Sequence, residues 1–212
     1  MRDVKIKKRI DNISIVYDLE KNEEINSQEL EVIGKGMIPG LIAPDVTSGF
    51  TNKRSLSFDI FNCTPLEELI GNSFTFYQFV QILQDAVRIL GECHKHGIRV
   101  SNIEKDKNLI FYDVSGKKLT MLFWPLLENL KADHDSDEKA LLLAMTSLFD
   151  TQDADSRFKV YFEDYLKGKD SFDLVSCAYT LSALKKRWLE QAQLPYSEDE
   201  ETEFTKIPAE IM

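Results

Sequence analysis

The sequence predicts an α+β protein in which a β-rich first part is followed by a mostly helical second part. Over residues 1–62, short runs rich in β-branched and aromatic residues are separated by polar breaks, which is typical of strands. From Thr64 onward, apolar residues recur at spacings of three and four, which is typical of helices that bury one face. We therefore expect a small, mainly antiparallel sheet over 1–62, a helical region over 63–194, and an acidic tail or linker over 195–212.

The first part contains four runs that predict strands, with polar or glycine- and proline-containing segments between them. In the segment GKGMIPG, Pro39 presets φ and Gly40 permits a positive φ. We therefore expect a turn between the apolar residues Ile38 and Leu41. The four strand-like runs read VKIKKRI, NISIVYDL, ELEVI and RSLSFDIF.

The longest helix is predicted between Thr75 and Gly97. Thr75 and Gln78 have the spacing of a capping box, and Gly97 is suited to the end of the helix. The apolar residues of this segment predict one buried stripe along the helix. The stripe consists of Phe76, Phe79, Val80, Leu83, Ala86, Val87, Leu90 and Cys93.

A hairpin and three further helices are predicted after this helix. In NLIFYDVSGKKLTMLFW, two strand-like runs flank a polar break at Ser115-Gly116, which indicates a turn. Ser136 is suited to cap the first of the three helices, Gly168 to end the second, and Pro195 to stop the third. The three segments read DEKALLLAMTSLF, SRFKVYFEDYL and FDLVSCAYTLSALKKRWLEQA.

Composition and charge argue against several classes of function. The 212 residues carry a formal net charge of −10 with scattered Lys and Arg, so nucleic acid is not expected as a partner. No apolar run approaches the roughly 20 residues that span a bilayer, so we expect a cytoplasmic chain without membrane insertion. Three distant cysteines, Cys63, Cys93 and Cys177, predict reduced thiols rather than disulfides.

The stretch HKHGIRVSN, between the long helix and the hairpin, resembles the catalytic loop of protein kinases. In kinases, a β-rich lobe precedes a helical lobe whose long central helix leads into this loop. The resemblance, aligned at His94, implies a two-lobed, protein-kinase-like fold with degenerate catalytic positions. The catalytic-loop positions correspond to Val100, Ser101, Asn102 and Lys107 (or Asn108 with a slip of one residue), and the Asp-Phe-Gly positions to Leu122, Phe123 and Trp124.

The residues at these positions lack the groups that phosphoryl transfer needs: a carboxylate to accept the substrate's proton and an anionic ligand for Mg²⁺. Asn102 cannot accept that proton, and Leu122 cannot bind a hard cation. The glycines of IGKGMIPG lack the Gly-x-Gly-x-x-Gly spacing, and Lys53 is predicted to face water. We therefore expect no enzyme activity, no catalytic residue, no cofactor and no metal site.

A second resemblance covers about residues 20–190. The turn IPGL, the strand NLIFYD and the run Trp124-Pro125-Leu126 are similar to stretches of an uncharacterised family of bacterial, mainly Gram-positive, cytosolic domains. These domains are often fused to a C-terminal forkhead-associated (FHA) domain. The family is similar in turn to the kinase-like cytosolic domain of the EssB/YukC component of type VII secretion systems. The resemblance implies a non-catalytic, pseudokinase-type interaction or scaffold module with a protein partner, and an FHA domain following it in the full-length protein.

Two residues are candidate partner contacts within this hypothesis. Arg99 is a charged group at the degenerate catalytic turn, and Trp124 is an aromatic beside a loop, although core packing is the simpler interpretation of Trp124. Thr202 and Thr205, in the acidic tail, are candidate phosphorylation sites that an FHA domain would read.

Two other functions compete with the scaffold hypothesis. An atypical phosphotransferase would use Asp113 or Glu104 in place of the missing acids, and a helical adaptor would resemble a kinase by accident. His94 and His96 diverge by roughly 200° on a helix and cannot chelate one metal there, so His94 is predicted to pack or hydrogen-bond at the helix end. Cys93 is predicted to pack in the core rather than act as a nucleophile.

Overall fold

Two four-stranded sheets and six helices make up the part of the chain that the structure describes, which confirms the α+β class. This computed structural model describes residues 3–9, 12–48, 53–70, 75–113, 115–128, 138–148, 156–168 and 172–191. The strands are β1 Lys5–Lys8, β2 Asn12–Asp18, β3 Leu41–Ile42, β4 Asp45–Ser48, β5 Arg54–Phe61, β6 Thr64–Pro65, β7 Ile110–Asp113 and β8 Lys118–Leu122. The helices are α1 Ser27–Gly34, α2 Leu66–Ile70, α3 Phe76–Lys95, α4 Glu138–Ser147, α5 Ser156–Gly168 and α6 Leu174–Gln191.

The first sheet is antiparallel and has the strand order β1-β2-β5-β4. In the central strands β2 and β5, buried side chains alternate with more exposed ones, which is the pattern of a sheet with one covered face. Paired residues such as Ile15 and Phe58 lie on that face. Strands β1 and β4 form the two edges, and every residue in both is exposed. The predicted strands VKIKKRI, NISIVYDL and RSLSFDIF are confirmed.

The segment ELEVI is helical, so its prediction as a strand is wrong. It belongs to α1, whose N-cap is Asn26: the Asn26 side chain accepts hydrogen bonds from the N–H groups of Gln28 and Glu29. Gly36 follows the helix with a φ of +69°. These two end signals, together with the helical spacing of the buried residues Glu29 and Ile33, outweigh the β propensity of the segment.

The turn between Ile38 and Leu41 is confirmed. Gly40 has a φ of +101°, and a Cβ atom there would lie 2.5 Å from Cδ1 of Ile89 and 3.0 Å from the carbonyl oxygen of Leu119. Glycine is therefore required both for the backbone conformation and for the close approach of the turn to α3 and β8.

The second sheet has the order β3-β8-β7-β6. Strands β7 and β8 form the predicted hairpin, in which Asp113 pairs with Lys118 beside the turn at Ser115-Gly116. Strand β3 pairs with β8 in parallel, and β6 pairs with β7 antiparallel. Since β3 lies within residues 1–62, the first part of the chain contributes a strand to a sheet that is otherwise built from the second part.

Helix α3 runs through the larger core and contacts α4, α6 and β8. Its capping box is confirmed: the Thr75 hydroxyl accepts from the N–H of Gln78, and the Gln78 side chain accepts from the N–H of Thr75. Every residue of the predicted stripe is buried. The three later helices are also confirmed, with α5 ending at Gly168. The predicted cap Ser136 and stop Pro195 lie outside the described residues.

Two apolar clusters form the core, an arrangement compatible with two lobes. The larger one surrounds α3, and the smaller one lies beneath the first sheet around Trp124. The Trp124 ring makes edge contacts with the rings of Tyr17 and Phe58, at centroid distances of 5.5 and 4.9 Å. The three cysteines are free thiols, as predicted. Among the described residues, no helix combines the length and apolarity needed to cross a membrane.

Candidate functional site

The candidate site is built on the loop between α3 and β7. The loop leaves α3 at Gly97, which has a φ of +66°, and continues through a 3₁₀ turn at Val100–Asn102. A second 3₁₀ turn, Lys107–Leu109, leads directly into β7. This loop contains the positions that the kinase resemblance assigns to the catalytic loop.

The buried carboxylate of Glu29 joins α1 to the start of the loop. Its Oε1 accepts hydrogen bonds from the backbone N–H and the Nε of Arg99, at 3.1 and 2.8 Å, and its Oε2 accepts from Nη2 at 2.8 Å. Arg99 also donates to the carbonyl oxygens of Leu126 and Leu127. The hydrogen bond to Glu29 raises the pKa of the Arg99 guanidinium. Arg99 therefore connects three segments: α1, its own loop and the stretch at Leu126 and Leu127. Since 39% of its side chain is exposed, its role as a partner contact stays a prediction.

Asn102, at the position that the kinase resemblance assigns to the proton acceptor, is fully buried. Its Nδ2 donates to Oε2 of Glu29 at 3.0 Å and to the carbonyl oxygen of Leu126 at 3.2 Å. The carbonyl oxygen of Asn102 accepts from the N–H of Trp124 at 2.8 Å. This position needs a hydrogen-bond donor, because the side chain faces a carboxylate and a carbonyl. An ionised aspartate would supply no donor here and would stand against the charge of Glu29.

The other three catalytic-loop residues differ in exposure. Val100 and Ser101 are half-buried, and Val100 packs against the larger core cluster. Lys107 is exposed and forms an ion pair with Glu67 of α2. Val100 therefore contributes to packing, whereas Lys107 lies at the protein surface.

Leu122, Phe123 and Trp124, which the kinase resemblance assigns to the Asp-Phe-Gly positions, are all fully buried. The indole N–H of Trp124 donates to Oε2 of Glu104 at 2.8 Å. The prediction that Trp124 contacts a partner is therefore wrong, because its ring and its N–H group are both used inside the protein. The simpler interpretation, core packing, is confirmed.

The two carboxylates considered as substitute acids lie at opposite ends of strand β8. The backbone of Glu104 bonds to Leu122 at the end of the strand, while Asp113 pairs with Lys118 at its start. Lys118 and Leu122 are four residue steps apart along the strand, which corresponds to about 13 Å.

Both carboxylates also bond to backbone amides. Oε1 of Glu104 accepts from the N–H groups of Lys105 and Asp106. Oδ1 of Asp113 accepts from the N–H groups of Gly116 and Ser115, and these bonds lower the pKa of Asp113. The structure therefore does not bring the two acids together.

The residues at the end of α3 have structural partners. Nε2 of His94 is hydrogen-bonded to Glu138 of α4, which confirms the predicted hydrogen bond at the helix end. Nε2 of His96 lies 3.6 Å from Oε2 of Glu92. Cys93 is fully buried, as predicted, and burial raises the pKa of its thiol to about 12, which disfavours the nucleophilic thiolate. Within the described ranges, His, Cys, Asp and Glu form no group of three or more suited to a metal ion.

A cavity of about 300 Å³ opens between the first sheet and the second half of the loop, Glu104–Leu109. Its walls are mainly apolar, and an ion pair between Lys8 of β1 and Glu68 of α2 links its two sides. The lining residues are Val4, Ile6, Lys8, Ile13, Pro65, Glu68, Asp106, Asn108, Leu109 and Phe111.

Lys53 plays no part in this geometry. Lys53 is exposed and precedes β5, as predicted. Thr202 and Thr205 lie outside the described residues. Glu29 is not among the site residues that the sequence predicts, because a strand over ELEVI would not place it beside Arg99, which lies 70 residues further along the chain. The helix-start signal at Asn26 was the local clue that would have placed Glu29 on a helix.

Comparisons with known proteins leave the family open. No family model matches the chain, and no curated protein matches it.

Proposed function

We propose that this protein is a kinase-like module without kinase chemistry, which acts as a protein-interaction scaffold in bacterial signalling or secretion. The order of its elements supports the kinase-like part: a small sheet with helix α1, the long helix α3, a loop, a hairpin and further helices. The second resemblance supports the setting, a cytoplasmic module linked to an FHA domain.

The observation that carries this proposal is the burial of Asn102 and Leu122. In a kinase, the residues at these positions must reach the substrate hydroxyl and Mg²⁺. Here both side chains are fully buried. Asn102 is also bonded to Glu29 and Leu126 in a network that requires its amide group.

The surroundings of these two residues support the same conclusion. Glu104 and Asp113, the acids nearest in sequence, each accept hydrogen bonds from neighbouring backbone amides. Gly34 lies at the end of α1, and Gly36 and Gly40 have positive φ values, after that helix and in the turn before β3, where glycine is favoured. The carboxylates and two of the glycines therefore have local structural partners or conformations, which supports the proposal.

The experiment is thermal unfolding of the purified protein with and without millimolar ATP and with and without Mg²⁺. A ligand that binds the folded state stabilises it by about 2.7 kcal/mol at a hundredfold excess over its Kd. We expect the same unfolding temperature with ATP and Mg²⁺ together as with either alone. A rise in unfolding temperature that requires both would contradict the proposal and favour the phosphotransferase alternative.

A further inference from the structure

We propose that the edge of strand β1 that faces away from β2 binds an extended segment of a partner protein in which acidic and apolar residues alternate. The added strand would pair with β1 and place an apolar side chain in the cavity beneath it. This inference rests on the proposed interaction function and identifies the surface and the chemistry of the partner.

Strand β1 is an edge strand with an open side. It pairs with β2 and, within the described ranges, with no other strand. All its residues are exposed. The backbone groups of an edge strand that face away from its neighbour are available to an added strand, which is the basis of peptide binding by strand addition.

The two faces of β1 have different chemistry. Ile6 pairs with Ile15 and Lys8 pairs with Ile13, so both lie on the face of the sheet that covers the smaller core cluster. Although it lies on that face, Ile6 is 44% exposed, because the cavity opens beside it. At this edge the inner face therefore combines the partly exposed apolar side chain of Ile6 with Lys8, which is ion-paired with Glu68.

The cavity continues this inner face below the edge. Val4, Ile6 and Lys8, at alternate positions of β1 and the residues before it, line one wall. Leu109 and Phe111 line the cavity from the far side, where they belong to the smaller core cluster. A volume of about 300 Å³ is at the lower limit of small-ligand pockets and accommodates a large apolar side chain.

The outer face of β1 determines the charge of the partner. Lys5 and Lys7 lie on this face, opposite Val16 and Ser14. Lys5 is paired with Asp18, whereas Lys7 has no ion-pair partner among the residues that the structure describes. In a chain whose net charge is −10, this strand is locally basic. Because opposite charges on neighbouring strands attract, acidic residues are favoured at the outward positions of an added strand.

The opposite edge of the same sheet supplies a matched control. Strand β4 is also fully exposed, and its Val46 lies on the inner face opposite Leu56 with 41% of its surface exposed. Strand β4 begins with Asp45 and carries no basic residue. No residue of β4 lines the cavity beside β1. Strand addition driven by charge and by the cavity therefore belongs to β1 and not to β4.

The test is a fluorescence anisotropy titration with a labelled peptide whose core reads ELEFELE, against a peptide of the same composition that reads EELFLEE. We expect the alternating peptide to bind at least about tenfold more tightly, since strand addition places alternate side chains on opposite faces. We also expect its binding to weaken as salt is raised, because the attraction to exposed lysines is screened. No binding, or equal binding of both peptides, would overturn the inference.

Three variants locate the site. Ile6→Asp is expected to weaken binding by about tenfold or more, and Lys7→Glu by about threefold to tenfold, while Val46→Asp leaves it unchanged. Ile6 and Val46 are similarly exposed, so both variants are expected to fold, which circular dichroism checks. If Ile6→Asp fails to fold, Lys7→Glu still decides the question. Wild-type affinity in every folded variant, or equal loss in Val46→Asp, would contradict binding at β1.

The peptide titration and the unfolding experiment with ATP and Mg²⁺ test the two proposals separately. Stabilisation by ATP with Mg²⁺ would overturn the non-catalytic proposal whether or not the peptide binds. Absence of peptide binding without such stabilisation would overturn this inference alone.

Discussion

The two halves of the loop between α3 and β7 differ in exposure and in their contacts. The first half, Arg99–Asn102, is held by the buried carboxylate of Glu29 and ends in a fully buried side chain. The second half, Glu104–Leu109, borders the cavity and exposes Lys107 and Asn108. The difference teaches that Asn102, at the position that the kinase resemblance assigns to the proton acceptor, belongs to the buried contacts of the fold, whereas Lys107, assigned to the same loop, lies at the surface.

The largest effect is expected when the residue that joins the two halves is removed. The backbone N–H of Trp124 donates to Asn102 in the first half, and its indole N–H donates to Glu104 in the second. Trp124→Ala is expected to lower the free energy of unfolding by about 3–5 kcal/mol, because it leaves a cavity in the smaller core cluster. Chemical denaturation measures this loss. Trp124→Phe, which keeps an aromatic ring, should lose clearly less, and an equal loss would contradict the packing role.

A smaller loss of stability is expected when only the contacts between Glu29 and the first half of the loop are removed. Glu29→Ala removes the buried carboxylate that accepts from both the Arg99 guanidinium and the Asn102 amide, and should lower the free energy of unfolding by about 2–4 kcal/mol. Glu31, on the exposed side of the same helix, is the control. Glu31→Ala should leave the denaturation midpoint unchanged. Equal denaturation midpoints for the two variants would show that the contacts of Glu29 with Arg99 and Asn102 contribute little to stability.

Substitutions of two glycines test whether the segment GKGMIPG also serves to stabilise the fold. Gly40→Ala is expected to lower the free energy of unfolding by about 2 kcal/mol, from its positive φ and its collision with Ile89. Gly36 also has a positive φ, of +69°, but no atom lies near its absent Cβ. Gly36→Ala should therefore cost about 1 kcal/mol, from backbone strain alone. The reverse order in thermal denaturation would contradict the close approach at Gly40.

The smallest effect is expected in the second half of the loop. Lys107 forms an exposed ion pair with Glu67, so Lys107→Met should change the free energy of unfolding by less than about 1 kcal/mol. The same denaturation experiment measures it. A loss as large as that of Glu29→Ala would remove the distinction between the two halves.

Local patterns predicted much of the fold. The capping box at Thr75, the turn at Gly40 and the hairpin around Ser115-Gly116 depend on residues close together in the chain, and all three are confirmed. In contrast, the β-prone residues of ELEVI predict a strand, and the helix-start signal at Asn26, which lies before that run, indicates the helix that forms. The two-residue strand β3 also escaped prediction, since its partner β8 lies about 80 residues further on.

The candidate site was harder to predict, because it too depends on contacts between distant segments. The sequence alone shows that position 102, which the kinase resemblance assigns to the proton acceptor, carries an amide instead of a carboxylate. The burial of Asn102 and its bond to Glu29 depend on packing between distant segments. The exposed edge of β1 was equally hidden, because a run such as KIKK does not show which strand lies beside it.

The central claim is that position 102 is structural, and Asn102→Asp tests it most directly. The introduced carboxylate would face the carboxylate of Glu29 and the carbonyl oxygen of Leu126, so its pKa in the folded state should rise above the unfolded value of about 4. A group with a raised folded pKa destabilises the fold at high pH and ceases to do so below its unfolded pKa.

We therefore predict that Asn102→Asp lowers the free energy of unfolding by about 2–4 kcal/mol at pH 7, and that this loss shrinks as the pH falls toward about 4. The measurement is chemical denaturation of the variant and the wild type at both pH values, with the pH 7 samples repeated in ATP and Mg²⁺. Wild-type stability at pH 7, or a new stabilisation that requires ATP and Mg²⁺ together, would contradict the account.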